Sequence, residues 1–176
     1  LDAIYFTGSL NVGMKIAKAV ADRPQVLLAL ELGGMNPLVI SEVSDIHAAS
    51  YLTIQSSFIT AGQRCTAARK LIVIEGSRQE AYLKELLQMV KSIKIGPYTD
   101  KPEPFMGELI NEEATDHVFD TFQKQKGHIL YPMQRLGKRL LTPGIIEVNP
   151  LDIKDEEVFG PLLYLIRVKN LDEAIQ

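Results

Sequence analysis

Short apolar runs alternate with amphipathic stretches along most of the chain. The short runs predict strands, and apolar residues at helical spacing between them predict helices. The predicted strands cover 3–7, 25–32, 37–40, 67–75, 128–131, 140–147 and 162–168. The predicted helices cover 11–21, a segment capped by Asp45 that continues through 58, 79–94, 112–126, and the first turns of one that starts at 171. This alternation predicts an α/β fold with a parallel sheet.

Glycine and proline divide the pattern. Pro24 ends the first helix, and the Gly33-Gly34 pair predicts a hinge between residues 1–32 and residues 33–176. Pro143-Gly144 falls inside a predicted strand, and this indicates a sheet edge or a bulge. The chain opens inside a strand and closes inside an unfinished helix, so we expect the second domain to be truncated.

Composition narrows the classes of function. The chain is 46% hydrophobic and 23% charged, with a net charge of −3, a mixture typical of a globular domain. We expect no nucleic-acid partner, because backbone recognition needs a basic field and the densest basic run, 124–139, is interpreted as a solvated surface. We also expect no membrane span, because no apolar run approaches the length of one.

The numbers of cysteine and histidine residues bear on disulfide bonds, cellular compartment and metal binding. One cysteine excludes an internal disulfide, and a free thiol that must stay reduced suits the cytoplasm. The three histidines, His47, His117 and His128, lack ligand spacing, so we expect no metal site.

The single cysteine lies in an unusual setting, the segment 60–66. A thiol attacks only as the thiolate, which the neighbouring cation Arg64 favours. Gly62 allows a tight backbone approach, and an exposed turn after a helix would present the sulfur to a cleft. Cys65 is therefore a candidate nucleophile. The alternative is that Cys65 is a small buried apolar residue.

Two further segments carry candidate chemistry. Glu31 follows an apolar strand and precedes two glycines that admit a ligand, and a partly desolvated carboxylate there can act as a general base. Gly8-Ser9 precedes a helix whose free N–H groups suit a phosphate. The alternatives are a solvated Glu31 and a plain helix cap at Ser9.

Together these segments resemble the aldehyde dehydrogenase family. The resemblance rests on four motifs in family order: Phe6-Thr7-Gly8-Ser9-Leu10-Asn11-Val12-Gly13, Glu31-Leu32-Gly33-Gly34, Gly62-Gln63-Arg64-Cys65, and Glu156-Glu157-Val158-Phe159-Gly160-Pro161. It implies an aldehyde dehydrogenase-like catalytic domain over 33–176. It also implies that 1–32 are the last strands of a Rossmann-type NAD-binding domain.

The resemblance also implies roles. Cys65 forms a thiohemiacetal and then a thioester, and Glu31 activates the hydrolytic water. The cofactor NAD is held by Gly8, Ser9, Leu10, Asn11, Val12 and Gly13, by Glu157 on the nicotinamide ribose, and by Phe159 beside the ring. The oxyanion is held by the backbone N–H of Cys65 and by an upstream Asn that this chain lacks. The full-length protein is implied to be a homo-oligomer, and the fragment inactive alone.

Two flanking segments, Leu52-Thr53-Ile54-Gln55-Ser56 and Leu141-Thr142-Pro143-Gly144-Ile145-Ile146-Glu147, are most similar to family members that oxidise N-succinylglutamate 5-semialdehyde in bacterial arginine catabolism. The implied small-molecule substrate is thus an acidic semialdehyde. Arg64 can pair bidentately with its carboxylate, or it can be a structural ion pair or a neighbour that activates Cys65.

Other interpretations stay open. For Glu157 the alternative is a surface carboxylate, and for Phe159 it is core packing. The same cysteine can serve an acylating or thioesterase-type enzyme without hydride transfer, although Glu31 argues against resolution of the thioester by a thiol. Another semialdehyde is an alternative substrate, and a truncated noncatalytic binding domain is the non-enzyme alternative.

Overall fold

A strand, a helix and a second strand form the first part of the chain. In the computed structural model, which describes the backbone of residues 1–176 and every side chain except that of Ser77, the chain divides into two units, Leu1–Gly34 and Met35–Gln176. The first unit contains β1 (Ala3–Thr7), α1 (Leu10–Ala19) and β2 (Leu27–Glu31). Its two strands pair in parallel, as predicted.

Besides two short 3-10 helices, Ile59–Gly62 and Pro150–Asp152, the second unit contains five strands and four α-helices, whose bounds follow the apolar pattern closely. The strands are β3 (Asn36–Ile40), β4 (Ala68–Ile74), β5 (His128–Tyr131), β6 (Gly144–Glu147) and β7 (Leu162–Val168). The helices are α2 (Ile46–Phe58), α3 (Ser77–Lys91), α4 (Glu112–Lys124) and α5 (Leu171–Ile175). Asp45 caps α2 by accepting a hydrogen bond from the Ala48 N–H at 3.0 Å, as the sequence predicts.

The five strands form one sheet in the order β3-β4-β7-β6-β5. All neighbours are parallel except β5 and β6, which are antiparallel. The central strands β4 and β7 are almost wholly buried, as expected of strands covered on both faces. The α/β fold predicted from the sequence is confirmed.

The prediction for residues 140–147 is wrong in two respects. The strand begins at Gly144, and it lies between β7 and β5, so Pro143 marks neither a sheet edge nor a bulge. Pro143 precedes the ladder, where its missing N–H costs nothing, and the Gly144 N–H donates to the Pro161 carbonyl at 2.8 Å. The register shift in this part of the sheet is in β5, between Ile129 and Tyr131.

The described residues contain neither a candidate membrane-spanning helix nor a candidate metal cluster. None of the helices in the part of the chain that the structure describes combines the length and apolar character needed to cross a bilayer. Within those same residues, no three His, Cys, Asp or Glu side chains come together in a group that could hold a metal ion.

Candidate active site

Three chain segments meet at the amino ends of neighbouring parallel strands. Asn36 begins β3, residues 59–67 lead into β4, and residues 156–161 lead into β7. Because β3 pairs with β4 and β4 pairs with β7 in parallel, the segments before these strands share one edge of the sheet. This edge brings Cys65 and the Glu157-Val158-Phe159 segment together.

The segment before Cys65 contains a left-handed turn. Three consecutive residues have positive φ: 56° at Thr60, 54° at Ala61 and 67° at Gly62. Left-handed backbone costs about 1–2 kcal/mol for each residue that has a Cβ, so Thr60 and Ala61 must be held there by their surroundings. Ala61 is completely buried, and the Gln63 N–H donates to the Thr60 carbonyl at 3.1 Å.

Gly62 lies where the turn touches the segment before β7. A Cβ at Gly62 would overlap the backbone carbonyl of Gly160 and would press on the Ser57 carbonyl at 3.0 Å. The close approach of two backbones, combined with the positive φ, therefore requires glycine.

A buried guanidinium joins the turn to the same segment. Arg69 Nη1 donates to the carbonyl of Gly62 at 2.6 Å and to that of Gly160 at 3.3 Å. Its Nη2 donates to the Arg64 carbonyl at 3.1 Å and to Glu157 Oε1 at 3.3 Å. Burial lowers the pKa of Arg69, and the Glu157 carboxylate partly offsets this.

Asn36 holds the turn from β3. Its side-chain Nδ2 donates to the carbonyl of Cys65 at 2.6 Å and to that of Ala67 at 3.1 Å. The backbone of the cysteine is thus fixed while Cys65 itself remains exposed. The exposure agrees with the expected turn and not with a small buried apolar residue.

Gln63 ties the turn to a third loop. Its Oε1 accepts a hydrogen bond from the Ile110 N–H at 2.8 Å, and its Nε2 donates to the Glu108 carbonyl at 3.3 Å. The neighbouring Arg64 is exposed, and among the described residues its guanidinium has no hydrogen bond or ion pair. Arg64 therefore forms no structural ion pair with the described residues of this unit.

Glu157 and Phe159 lie beside the turn. The Glu157 side chain is 22% exposed, and the structure shows a bond to its Oε1 only, so Oε2 is left as an acceptor. Phe159 is 42% exposed, which argues against the core-packing alternative, and its ring centroid lies 5.4 Å from the Arg69 guanidinium carbon.

The proposed phosphate-binding residues lie in the first unit. Gly8, Ser9, Leu10, Asn11 and Val12 are exposed around the start of α1. Ser9 is the N-cap, and its Oγ accepts a hydrogen bond from the Val12 N–H at 3.4 Å, so the cap considered as an alternative is present. The Ser9 O–H can still donate to a ligand.

Gly13 has a different environment from the other five. It is buried, and a Cβ there would overlap the Leu32 side chain. Its position serves the packing of α1 on the segment after β2. The expected direct cofactor contact of Gly13 is therefore not supported by its environment.

Glu31 ends β2 in the first unit. It is exposed, so the partial desolvation expected at this position is not found, because the residue closes a two-stranded sheet with open surface around it. The pairing of Glu31 with Cys65 of the second unit stays a prediction.

Sequence reasoning assigned no role to three residues of this site: Asn36, Gln63 and Arg69. Arg69 carried the clearest signal, because it is a charged residue in a strand that is otherwise apolar and buried. A cation at such a position needs partners, and its partners Glu157 and Gly160 are too distant in sequence to be identified from spacing.

Gly62→Ala is expected to lower the free energy of unfolding by about 2–4 kcal/mol, from the cost of left-handed backbone and the overlap with Gly160. Urea denaturation of the complete protein measures it. The matched control is Gly137→Ala, where a Cβ would meet only Leu140 Cβ at 3.8 Å and no positive φ is required. Equal stability of the two variants would show that the turn is not held as described.

Comparisons with known proteins give one family. The model of the aldehyde dehydrogenase family matches residues 1–176. The chain is 46% identical to an N-succinylglutamate 5-semialdehyde dehydrogenase of Escherichia coli O127:H6 over 182 residues, which is 100% of this chain and 37% of that protein. The chain thus spans little more than a third of the length of this relative.

Solved structures of this family are similar to the chain over almost its whole length. A 1-pyrroline-5-carboxylate dehydrogenase from Thermus with bound NAD has a TM-score of 0.87 and 28% identity, over 99% of this chain and 36% of that one. A glyceraldehyde-3-phosphate dehydrogenase from Methanocaldococcus jannaschii DSM 2661, complexed with NADP, has a TM-score of 0.87 and 30% identity, over 99% of this chain and 38% of that one. This chain belongs to the aldehyde dehydrogenase family.

Proposed function

We propose that the complete protein containing this chain oxidises N-succinylglutamate 5-semialdehyde to N-succinylglutamate, with NAD as the acceptor and Cys65 as the nucleophile. The observation that carries the chemistry is an exposed thiol that follows a left-handed turn, with Arg69 bonded to the turn and Asn36 bonded to the backbone of the cysteine. The substrate is supported by the name of the relative that is 46% identical over the whole chain.

The sulfur of Cys65 adds to the aldehyde carbon, and the carbonyl electron pair moves to the oxygen. The tetrahedral carbon that results can release hydride, whereas the planar aldehyde carbon cannot. NAD, when bound, would supply the acceptor for that hydride, and Cys65 would then hold the acyl group as a thioester. Glu31 then takes a proton from water, the water oxygen attacks the acyl carbon, and the C–S bond breaks to return the thiolate.

The described residues suit a nicotinamide dinucleotide. In the first unit, Ser9 and the leading N–H groups of α1 offer donors to a phosphate, and the first turn of this helix has no acidic residue to repel an anion. In the second unit, Glu157 Oε2 can accept from ribose hydroxyls, and the half-exposed Phe159 offers an apolar face. The choice of NAD over NADP is part of the proposal.

The direct test is an absorbance assay of nicotinamide reduction by the complete protein. We expect a higher kcat/KM with N-succinylglutamate 5-semialdehyde than with a neutral aliphatic aldehyde, and a higher kcat/KM with NAD than with NADP. Preference for the neutral aldehyde would overturn the substrate. No nicotinamide reduction with any aldehyde, together with acyl transfer from a thioester to an added thiol or to water, would favour an acylating or thioesterase-type enzyme instead.

Arg64 is proposed to bind the substrate carboxylate. Arg64 is exposed and precedes Cys65 in the chain, and its guanidinium has no partner among the described residues. Arg64→Ala should lower kcat/KM for the succinylated semialdehyde by roughly 10–100-fold, the worth of a charge-assisted hydrogen bond, and that for a neutral aldehyde by less than about threefold.

Steady-state kinetics on both aldehydes checks this prediction, with Lys126→Ala as the control. Lys126 is an exposed cation in the loop between α4 and β5, outside the segments that form the site. An equal loss on both aldehydes would remove Arg64 from substrate recognition.

We also propose that the complete protein is a cytoplasmic homo-oligomer that binds no nucleic acid. The net charge of −3 and the single free thiol of this chain support the absence of nucleic acid and the reducing compartment. Light scattering after size exclusion measures the oligomeric state, and a monomer would contradict it.

A further inference from the structure

Burying the charged side chain of Arg69 costs free energy, and its hydrogen bonds offset that cost only in part. It lies in a buried strand with 1% of its side chain exposed, and the structure shows no partner for its buried Nε. Its one carboxylate partner, Glu157, is partly exposed and accepts only one bond at 3.3 Å. A stability role alone is better served by an apolar side chain of similar volume. The four bonds of Arg69 therefore indicate a role in orienting the groups that they hold.

The bond to the Arg64 carbonyl orients a peptide of the site. That carbonyl belongs to the same peptide unit as the Cys65 N–H, and in a planar trans peptide the two point in opposite directions. Because the Arg64 oxygen points toward buried Arg69, the Cys65 N–H points away from it. A cation on the carbonyl also polarises the peptide and makes its N–H a stronger donor.

The remaining bonds fix the surroundings of that peptide. Nη1 holds the Gly62 carbonyl, which keeps the left-handed turn closed, and the Gly160 carbonyl, which fixes the segment before β7. Nη2 occupies Glu157 Oε1 and so leaves Oε2 as the free acceptor. A single guanidinium thus sets both sides of the site.

We propose that Arg69 is a positioning residue that acts through two groups. It aims the Cys65 N–H at the oxyanion formed when the thiolate adds to a carbonyl, and it orients the Glu157 carboxylate toward the nicotinamide ribose. This inference rests on the proposed function. It makes cofactor affinity and oxyanion stabilisation depend on one side chain that contacts neither ligand.

The test compares two reactions of the same thiol in the complete protein without cofactor. Acylation by p-nitrophenyl acetate passes through an oxyanion, whereas alkylation by iodoacetamide does not. Arg69→Met should slow acylation by about 100-fold, the loss expected for an oxyanion donor, and should change alkylation by less than about threefold. Equal slowing of both would mean that the turn has collapsed, and the positioning role would be overturned.

Arg69→Lys serves the same test if the methionine variant does not fold. A single ammonium cannot reach all four acceptors in the fork geometry of guanidinium, so the ratio of acylation to alkylation should still fall by about tenfold. An unchanged ratio would overturn the proposal. Failure of the wild-type protein to react with either reagent would instead contradict the proposed function itself.

Cofactor affinity tests the second group. Arg69→Met should raise the dissociation constant of NAD by about tenfold, measured by calorimetry, and should have little further effect in a Glu157→Gln background. Additive effects of the two substitutions would overturn the coupling.

Arg167→Met is the matched control. Arg167 lies on β7, opposite Val73 of β4 and so at the other end of the sheet from Arg69, and it forms ion pairs with Glu80 and Glu147. Its loss should lower the free energy of unfolding. The ratio of acylation to alkylation and the dissociation constant of NAD should both stay equal to those of the wild type. A change in either quantity equal to that of Arg69→Met would contradict a specific role for Arg69.

Discussion

Cys65→Ser is expected to lower kcat for aldehyde oxidation by about four to six orders of magnitude, the loss typical of removing a nucleophile. A serine hydroxyl ionises far less readily than a thiol, and none of the described residues offers a general base bonded to the side chain at this position. The change replaces one atom on a turn whose backbone is held through Asn36 and Arg69, so the turn itself should persist.

The control is Thr66→Ala at the next position. Thr66 is exposed, and its hydroxyl has no hydrogen bond among the described residues, so activity should stay within about threefold of the wild type. Brief iodoacetamide treatment with peptide mapping gives the complementary measurement, because wild type should be alkylated at Cys65 under native conditions. Retention of more than about a hundredth of the activity in Cys65→Ser would exclude a covalent role.

The parts of the fold that depend on local pattern were predictable. β1, β5 and β7 begin and end at the residues that the apolar runs predict, and Asp45 caps α2 as its sequence indicates. These features depend on residues within a few positions of each other. The start of β6 was less predictable, because Leu140–Leu141 continue its apolar pattern while Pro143 keeps them out of the ladder.

The interior of the site was not predictable from spacing. The turn of Thr60, Ala61 and Gly62 is left-handed at two residues that seldom adopt such backbone. The turn is held by hydrogen bonds from Arg69 and by contact with Gly160. Gly160 lies close to the turn only because β4 and β7 pair in the sheet. Such contacts are tertiary, and no local pattern encodes them.

The position of the site on the sheet follows from the same pairing. Open parallel sheets usually bind ligands at the carboxyl ends of their strands, whereas Cys65 and Glu157 precede β4 and β7. The segments enter two adjacent parallel strands, which brings them together despite their separation in sequence. The sequence predicts a role for each of these two residues, and the register explains why the segments that carry them are adjacent.

Glu31→Gln is expected to halt turnover after the redox step. The amide keeps the size of the side chain and cannot take a proton from water, so kcat should fall by roughly 10²–10⁴, the usual worth of a general base. One equivalent of NADH per site should still form in a burst, because hydride transfer precedes hydrolysis in the proposed mechanism. The acyl group should then accumulate as a thioester on Cys65.

Rapid-mixing absorbance and intact-mass spectrometry of the quenched complete protein measure the burst and the adduct. Hydroxylamine should restore turnover in Glu31→Gln, because it attacks the thioester without the help of a base. The matched control is Glu75→Gln, an exposed carboxylate that follows β4 as Glu31 closes β2, and it should behave as the wild type. Loss of the burst together with the steady-state rate would assign Glu31 to an earlier step, and full activity in Glu31→Gln would remove it from the mechanism.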